Sequence, residues 1–342
     1  MNSLHNIISN KAKELKEDPT IKREISLQGY LRKLYKLKCF EKDIYTIIYP
    51  VGSQHARIYA LPELRKVSKD SSLPTFRPII STIGTYKYNL AKHLSHLLSP
   101  HIPKQFCTLD SFSFVEELKK INVTNKFIVS YDVESLFTNI PLKESINIAT
   151  DFFFKDKINS KRFSKIQFKK LLQISTSVSH FLFDGKYYDQ TDGVAMGSPL
   201  APILANIFVG FHEQTWINNW SFTAPLFYKR YVEDINANFN SEYEAQEFFK
   251  HLNKQHKNLK FTTEKEQDNQ IAFLDVLIKK SNSLLTSVYH KKTYTGLLQN
   301  FSSFIPSCYK IGLVRCLIDR TIKILILGLV LIKILRIYHY FY

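Results

Sequence analysis

What this chain lacks narrows its class before any motif is read. It has four cysteines, Cys39, Cys107, Cys308 and Cys316, with no C-x-x-C pair and no His/Cys cluster at zinc spacing. A disulfide framework and a zinc module are therefore not expected, and the compartment is expected to be reduced and intracellular. The amino terminus, Met1-Asn2-Ser3-Leu4-His5-Asn6, is polar and lacks the apolar core of a signal peptide. No run reaches the about 20 apolar residues that a spanning helix needs. The nearest, 322–337, is short and interrupted by Lys323, Lys333 and Arg336. A buried helix or a tail without function is expected there before a membrane anchor. Internal repeats and low-complexity tracts are absent. Acidic residues are scarce, 30 against 47 Lys and Arg, which leaves a net charge of +17. That excess has two readings: a polyanion partner, nucleic acid first, or a basic chain from an A/T-rich genome, since Lys, Asn and Ile abound.

What is present is enough for a large core. With 342 residues and 44% apolar content, two or three subdomains are expected. Residues 1–45 read as helical, with Leu27, Leu31, Leu34 and Leu37 at helical spacing. Residues 66–78 are loop-like and lead into a short strand at 76–81; 88–98 reads as a helix stopped by Pro100. The continuous apolar run 127–132 predicts a buried strand. Helices are predicted from Pro141 to about 154, over 164–178, and from Pro199 and Pro202 to about 218. Asp184-Gly185 suits a type I′ turn between two strands. A second hairpin spans 226–240; its outgoing arm alternates Ile235, Ala237, Phe239 with Asn236, Asn238, Asn240, the mark of a half-buried strand. Ser241 with Glu244 forms a capping box for a helix whose face is Ala245, Phe248, Phe249 and Leu252. Strands are predicted at 259–263, 271–278 and 284–290. The order predicts an α+β fold, with helices on one face of a mainly antiparallel sheet.

Three acids stand out. Asp132 ends the apolar strand, and Glu233-Asp234 falls where the second hairpin turns. Neighbours on a straight strand point to opposite faces, but at a tight turn both can approach one volume. Such a set could hold two magnesium ions, which take oxygen ligands and suit nucleotidyl transfer. Each acid alone has a plainer reading as a solvated turn or strand end. Between them lies Gly193-Val194-Ala195-Met196-Gly197-Ser198-Pro199-Leu200-Ala201-Pro202, either a close approach for a nucleotide or a helix-initiating turn.

Together and in this order, these segments resemble the A, B and C motifs of a reverse transcriptase, and the match is nearest to Penelope-like retroelements. It runs from about Tyr45 to Lys323 and includes Ala56-Arg57-Ile58-Tyr59-Ala60-Leu61-Pro62, Phe76-Arg77-Pro78-Ile79 and Ser130-Tyr131-Asp132-Val133-Glu134-Ser135-Leu136-Phe137. It continues through Ala272-Phe273-Leu274-Asp275-Val276-Leu277-Ile278, Thr286-Ser287-Val288-Tyr289 and Tyr309-Lys310-Ile311-Gly312-Leu313-Val314-Arg315. The resemblance implies a right-hand polymerase: an N-terminal helical extension (1–45), fingers (46–125), a palm with an antiparallel sheet (126–280), primer grip and start of thumb (281–324), then an atypical apolar tail (325–342). It implies RNA-directed DNA synthesis for a mobile element, with RNA template, DNA primer or target DNA, and dNTPs as partners. The nucleus is the expected place of action. A folded, inactive nucleic-acid-binding remnant is the alternative.

The implied roles are specific. Asp132, the Val133 carbonyl, Glu233 and Asp234 would hold two Mg2+ ions, with Mn2+ as a substitute. Phe137 would exclude a ribose 2′-hydroxyl, unless it is a core residue. Arg77 would lie near the triphosphate, with Gly197 and Ser198 against nucleotide and template. Lys265 would protonate pyrophosphate, unless it pairs with Glu264 or Glu266. Asp275 is expected to be structural. Two departures stand out. Glu233 occupies the place of an Asp and adds about 1.5 Å of reach, so impaired activity is expected, less so with manganese. After Ile324 the match gives way to aliphatic sequence, as from a shifted reading frame or truncation, with no recognisable remainder of the thumb or GIY-YIG endonuclease.

Overall fold

The computed structural model describes residues 12–67, 74–121, 125–156, 161–177, 179–191, 193–195, 197–281 and 284–325. Its first half runs β1 (Ala12–Leu15), α1 (Thr20–Lys36), α2 (Lys42–Ile48), β2 (Ala56–Val67), β3 (Pro74–Ser81), α3 (Tyr88–Leu98), α4 (Ser111–Leu118), β4 (Phe127–Val133), α5 (Leu136–Asn139), α6 (Leu142–Phe153) and α7 (Lys165–Thr176). Its second half runs β5 (His180–Phe183), β6 (Lys186–Gln190), α8 (Ala201–Asn218), β7 (Phe227–Tyr231), β8 (Asp234–Phe239), α9 (Glu242–Gln255), β9 (Phe261–Lys265), β10 (Gln270–Phe273), β11 (Val276–Lys280), β12 (Leu284–Val288) and α10 (Ser307–Ile324). The chain divides into two compact units, each built from two segments: Met1–Pro103 with Ser135–Thr215, and Lys104–Glu134 with Trp216–Tyr342.

The first unit is organised on a five-stranded sheet of order β1-β6-β5-β2-β3. Only β2 and β5 run parallel; the other neighbours are antiparallel. The β5–β6 hairpin turns on Asp184 and Gly185, both at positive φ (49° and 73°), which is the backbone of a type I′ turn. α7 starts where its capping box does, with Ser164 and Gln167 bonding each other's backbone N–H. The amino-terminal region departs from expectation. Ala12–Leu15 is not helical but pairs with β6, because a free sheet edge offers hydrogen bonds that outweigh local helix preference. Leu27, Leu31 and Leu34 are buried, whereas Leu37 is 55% exposed because the helix has already ended.

The second unit carries the four-stranded antiparallel sheet β7-β8-β4-β9 and the three-stranded sheet β10-β11-β12. α9 covers one face of the four-stranded sheet. The Tyr131 hydroxyl donates to the Ala245 carbonyl at 2.8 Å, and Val129, Tyr131 and Val133 are buried with Phe248 and Leu252. At the other end of the opposite face, Ile128 and Phe227 join a core with Phe114, Ile271, Phe273, Val276, Ile278 and Ile324.

Three expectations are corrected here. Asn236 and Asn238 are fully buried, not half-exposed; beside Asn238, its sheet partners Ile128 and Phe227 belong to a core that covers this second face of β8. The predicted strand 271–278 is two strands joined at Leu274-Asp275, with Leu274 at φ +54°; an apolar run with one acid hides a hairpin when its turn lacks glycine. The Ser241 cap is half a box: Ser241 Oγ accepts from Glu244 N–H, but the Glu244 carboxylate takes the N–H of Asn240. Ile324 is buried in the core cluster, and residues 326–342, with the expectations placed on them, lie outside the described residues. All four cysteines are free. Among the described residues no helix is long and apolar enough to cross a membrane.

Candidate active site

β7 and β8 join through the two residues Val232 and Glu233, since Tyr231 pairs directly with Asp234. Val232 sits at φ +55°, a left-handed conformation that a β-branched residue adopts only under constraint. The constraint is visible on both sides. The fully buried Arg230 donates from Nη1 to the Val232 carbonyl at 2.8 Å, and the Val133 N–H donates to the Glu233 carbonyl at 3.1 Å.

Register then sets the acids. Asp132 of β4 lies directly opposite Asp234 of β8, in a row that runs Tyr231, Asp234, Asp132, Thr262 across the sheet. Directly opposed residues project from the same face with Cβ atoms about 5 Å apart. That face is the one away from α9, because Tyr131 and Val133 alternate onto the helix side. Asp132 is exposed, while Glu233 and Asp234 are partly buried. Burial first, and the charge of Asp132 second, push the Asp234 carboxyl up to about 6; Lys291 opposes the shift. A carboxyl made harder to ionise by burial, and further by a like charge opposite it, is an electrostatic mark of a functional site. The donors are hard carboxylate and carbonyl oxygens, the ligand set of magnesium rather than zinc. The residues present therefore fit a divalent cation held by Asp132 and Asp234.

The nucleotide-binding candidates of the first unit meet one another in part. Arg77 is exposed on β3, and Phe137 is half-buried in the short α5. The Phe137 carbonyl accepts from Val194 N–H at 2.8 Å, which ties the glycine segment to the residues after β4. Gly193 is at φ +75°, and a Cβ there would meet Thr138 backbone at 2.9 Å. Gly197 is at φ +111°, and a Cβ would meet the Ile80 carbonyl at 2.6 Å; its own carbonyl accepts from Thr82 Oγ1 at 3.0 Å. Both glycines thus have a packing reason against the protein's own backbone. Ser198 is buried at 7% exposure.

Lys265 is not brought to the acids. It lies three residues along β9 from the position facing Asp132, so its side chain alternates to the α9 side. There it pairs with Glu242 at 2.7 Å, and not with either sequence neighbour. Asp275 occupies the β10–β11 turn and pairs with Arg320 at 3.2 Å.

Sequence reasoning missed several residues around this hairpin. Lys291 follows β12, and only tertiary proximity to Asp234 distinguishes it from other surface lysines. Arg230 reads as one more basic residue in Lys229-Arg230. Asn236 and Asn238, two and four residues beyond Asp234, have side-chain amides without a hydrogen-bond partner among the described residues.

The fold is mixed α+β, and its antiparallel sheet presents opposed aspartates at a hairpin. The family model described as reverse transcriptase (RNA-dependent DNA polymerase) matches residues 28–271, and the chain belongs to that family. The family uses divalent metal ions. Solved structures share the right-hand polymerase fold at low identity. Telomerase from Candida albicans in complex with a TWJ fragment of telomeric RNA matches with a TM-score of 0.55 at 11% identity, covering 93% of this chain and 52% of that chain. Apo telomerase from Candida tropicalis, truncated from its C-terminal domain, matches with a TM-score of 0.54 at 11% identity, over 81% of this chain and 57% of that one. The chain spans about half the length of these telomerase structures. No curated protein sequence matches.

Proposed function

We propose that this protein is an RNA-directed DNA polymerase of a Penelope-like mobile element, adding dNTPs to the 3′-hydroxyl of a DNA primer on an RNA template. The observation that carries the reading is the direct opposition of Asp132 and Asp234 beside a strained turn, in a chain of this family. The RNA held by the Candida albicans telomerase structure, and the net charge of +17, support a nucleic-acid partner. In this reading residues 46–125 serve as fingers, 126–280 as palm and 281–324 as primer grip and start of thumb.

Asp132, the Val133 carbonyl, Glu233 and Asp234 would hold two Mg2+ ions, which when bound lower the pKa of the primer hydroxyl and neutralise charge on the triphosphate. The chain's own residues supply position. Asp132 projects from a strand paired on both sides, so its carboxylate is presented without a search. Asp234 must lose its proton before it can bind a cation, which links activity to pH. Phe137 would press on the sugar and disfavour a 2′-hydroxyl. Arg77 would lie near the triphosphate, and Gly197 with Ser198 against nucleotide and template. Lys265, facing α9, is left without a part in pyrophosphate release.

A second reading is favoured by particular residues: a folded, nucleic-acid-binding remnant without catalysis. Glu233 has the right charge on a longer arm, and magnesium demands near-ideal geometry at about 2.0–2.1 Å. The amides of Asn236 and Asn238, on the same face as Asp234, have no partner among the described residues, and a buried amide left so costs about 1–3 kcal/mol. One assay separates the readings: purified protein on a primed RNA template with dNTPs, in magnesium and then manganese. Extension that needs Asp132 supports the polymerase. Binding without extension, in the parent and in Glu233→Asp alike, supports the remnant.

A further inference from the structure

We infer that Arg230 is a positioning residue for the acids, clamping from inside the second unit the turn that presents Glu233 and Asp234. The inference rests on the polymerase reading above for its functional consequence, and on the hydrogen bonds of the turn for its physical basis.

Among the described residues Arg230 is the largest fully buried side chain, at 0% exposure. Nothing in the strand pairing requires an arginine there: β7 and β8 pair from Phe227↔Asn238 to Tyr231↔Asp234 through backbone alone. What the guanidinium adds lies beyond the strand. Nη1 bonds the Val232 carbonyl at 2.8 Å, and Nη2 reaches Cys107 Sγ at 3.3 Å. The base of the side chain is equally fixed. The Arg230 N–H donates to the Phe106 carbonyl at 2.7 Å, and the Arg230 carbonyl accepts from Thr108 N–H at 2.9 Å, so residues 106–108 brace β7 as a parallel bridge. The fork is therefore anchored at its root and at both tips.

The carbonyl it holds belongs to the one residue of the turn in a left-handed conformation. A valine at φ +55° relaxes toward φ < 0 unless its peptide is gripped, and such relaxation would swing the next two residues, which are Glu233 and Asp234. The neighbouring strand grips the following carbonyl through Val133 N–H at 3.1 Å. Each of the two turn residues thus has its carbonyl bonded, one by the arginine and one by β4. A lysine ammonium is a point donor on a flexible stem and does not span the carbonyl and the sulfur together.

Arg230→Lys and Arg230→Ala test this in two measurements. The first is amide hydrogen exchange in the metal-free protein, which needs no activity. We expect exchange of the Val133 amide and the 232–234 amides to rise by at least about tenfold in Arg230→Lys, with 127–131 at parental rates. The second is primer extension in the Glu233→Asp background. There kcat is expected to fall by at least about tenfold with KM for dNTP within about twofold, and added ethylguanidinium to restore part of the rate of Arg230→Ala. Unchanged exchange at the turn in Arg230→Lys overturns the inference. Protection lost evenly over β4, β7 and β8 overturns it too, by making Arg230 a general fold residue. So does an unaltered kcat, or absence of ethylguanidinium rescue in a folded Arg230→Ala. If Arg230→Ala does not fold, Arg230→Lys decides. A parent that never extends a primer, with turn exchange still raised in Arg230→Lys, refutes the polymerase reading and leaves the clamp standing.

Discussion

The β5–β6 hairpin turns on Asp184-Gly185 and the β7–β8 hairpin on Val232-Glu233, and the two reach the same loop length by opposite routes. In the first, both residues accept positive φ at little cost, and the turn follows from its own dipeptide. In the second, a valine is held left-handed by a buried arginine and by a neighbouring strand. A turn that only reverses the chain uses residues that suit it. The turn that brings Asp234 opposite Asp132 tolerates an unsuited residue, because the surrounding structure over-determines it.

Breaking this contrast at its strongest point gives the largest effect. Asp132→Ala should reduce primer extension by about a thousandfold or more while leaving the thermal midpoint near the parental value, since the side chain is exposed. Persistent extension in that variant would refute the acid assignment. Glu233→Asp sharpens the contrast from the other side: kcat in magnesium should rise by about tenfold, and by less in manganese. A fall in rate would mean that the turn is built around the longer acid.

Stability effects are next. Asn236→Leu and Asn238→Leu each remove an unpartnered buried amide and should stabilise the fold by about 1–3 kcal/mol in denaturant titration; destabilisation would point to partners supplied by buried water. The Asp234 shift predicts a pH dependence of definite sign. Its folded pKa of about 6 lies above the free value of 3.8, so the metal-free folded protein binds a proton that the unfolded chain does not. The contribution of this group to stability is therefore lost as pH rises from about 4 to about 6, by on the order of 1 kcal/mol once its exposed part is discounted. Cation affinity should run the other way and weaken as pH falls through 6. A matched titration of Asp234→Asn, which should lack both trends, checks the assignment. The smallest effect belongs to the relaxed hairpin: Gly185→Ala, at φ +73° with open space around it, should cost about 1 kcal/mol and leave extension unchanged.

Much of the scaffold was legible because its signals are local. Asp184-Gly185, the Ser164 cap, Pro141 before α6 and the apolar run ending in Asp132 each act within a few residues. The Leu274-Asp275 turn was not legible, since it lacks glycine and puts a leucine, not a turn former, at φ +54° inside an apolar run, where the pairing of β10 with β11 holds it. The edge pairing of Ala12–Leu15 depends on β6, more than a hundred and seventy residues away. Lys265 carried two readings, a chemical residue or an ion pair with a sequence neighbour; its partner is Glu242, which only α9 supplies.

The sequence by itself determined which acids are available, that one stands at a strand end and two at a turn, and the family to which their order belongs. Only the tertiary structure decided that Asp132 faces Asp234, that the Asp234 carboxyl is pushed up to about 6, that Val232 turns left-handed and that Arg230 lies buried beneath it. Residue order acts through near neighbours. Register, burial and the field of a charge across a sheet depend on strands that meet only when the chain has folded.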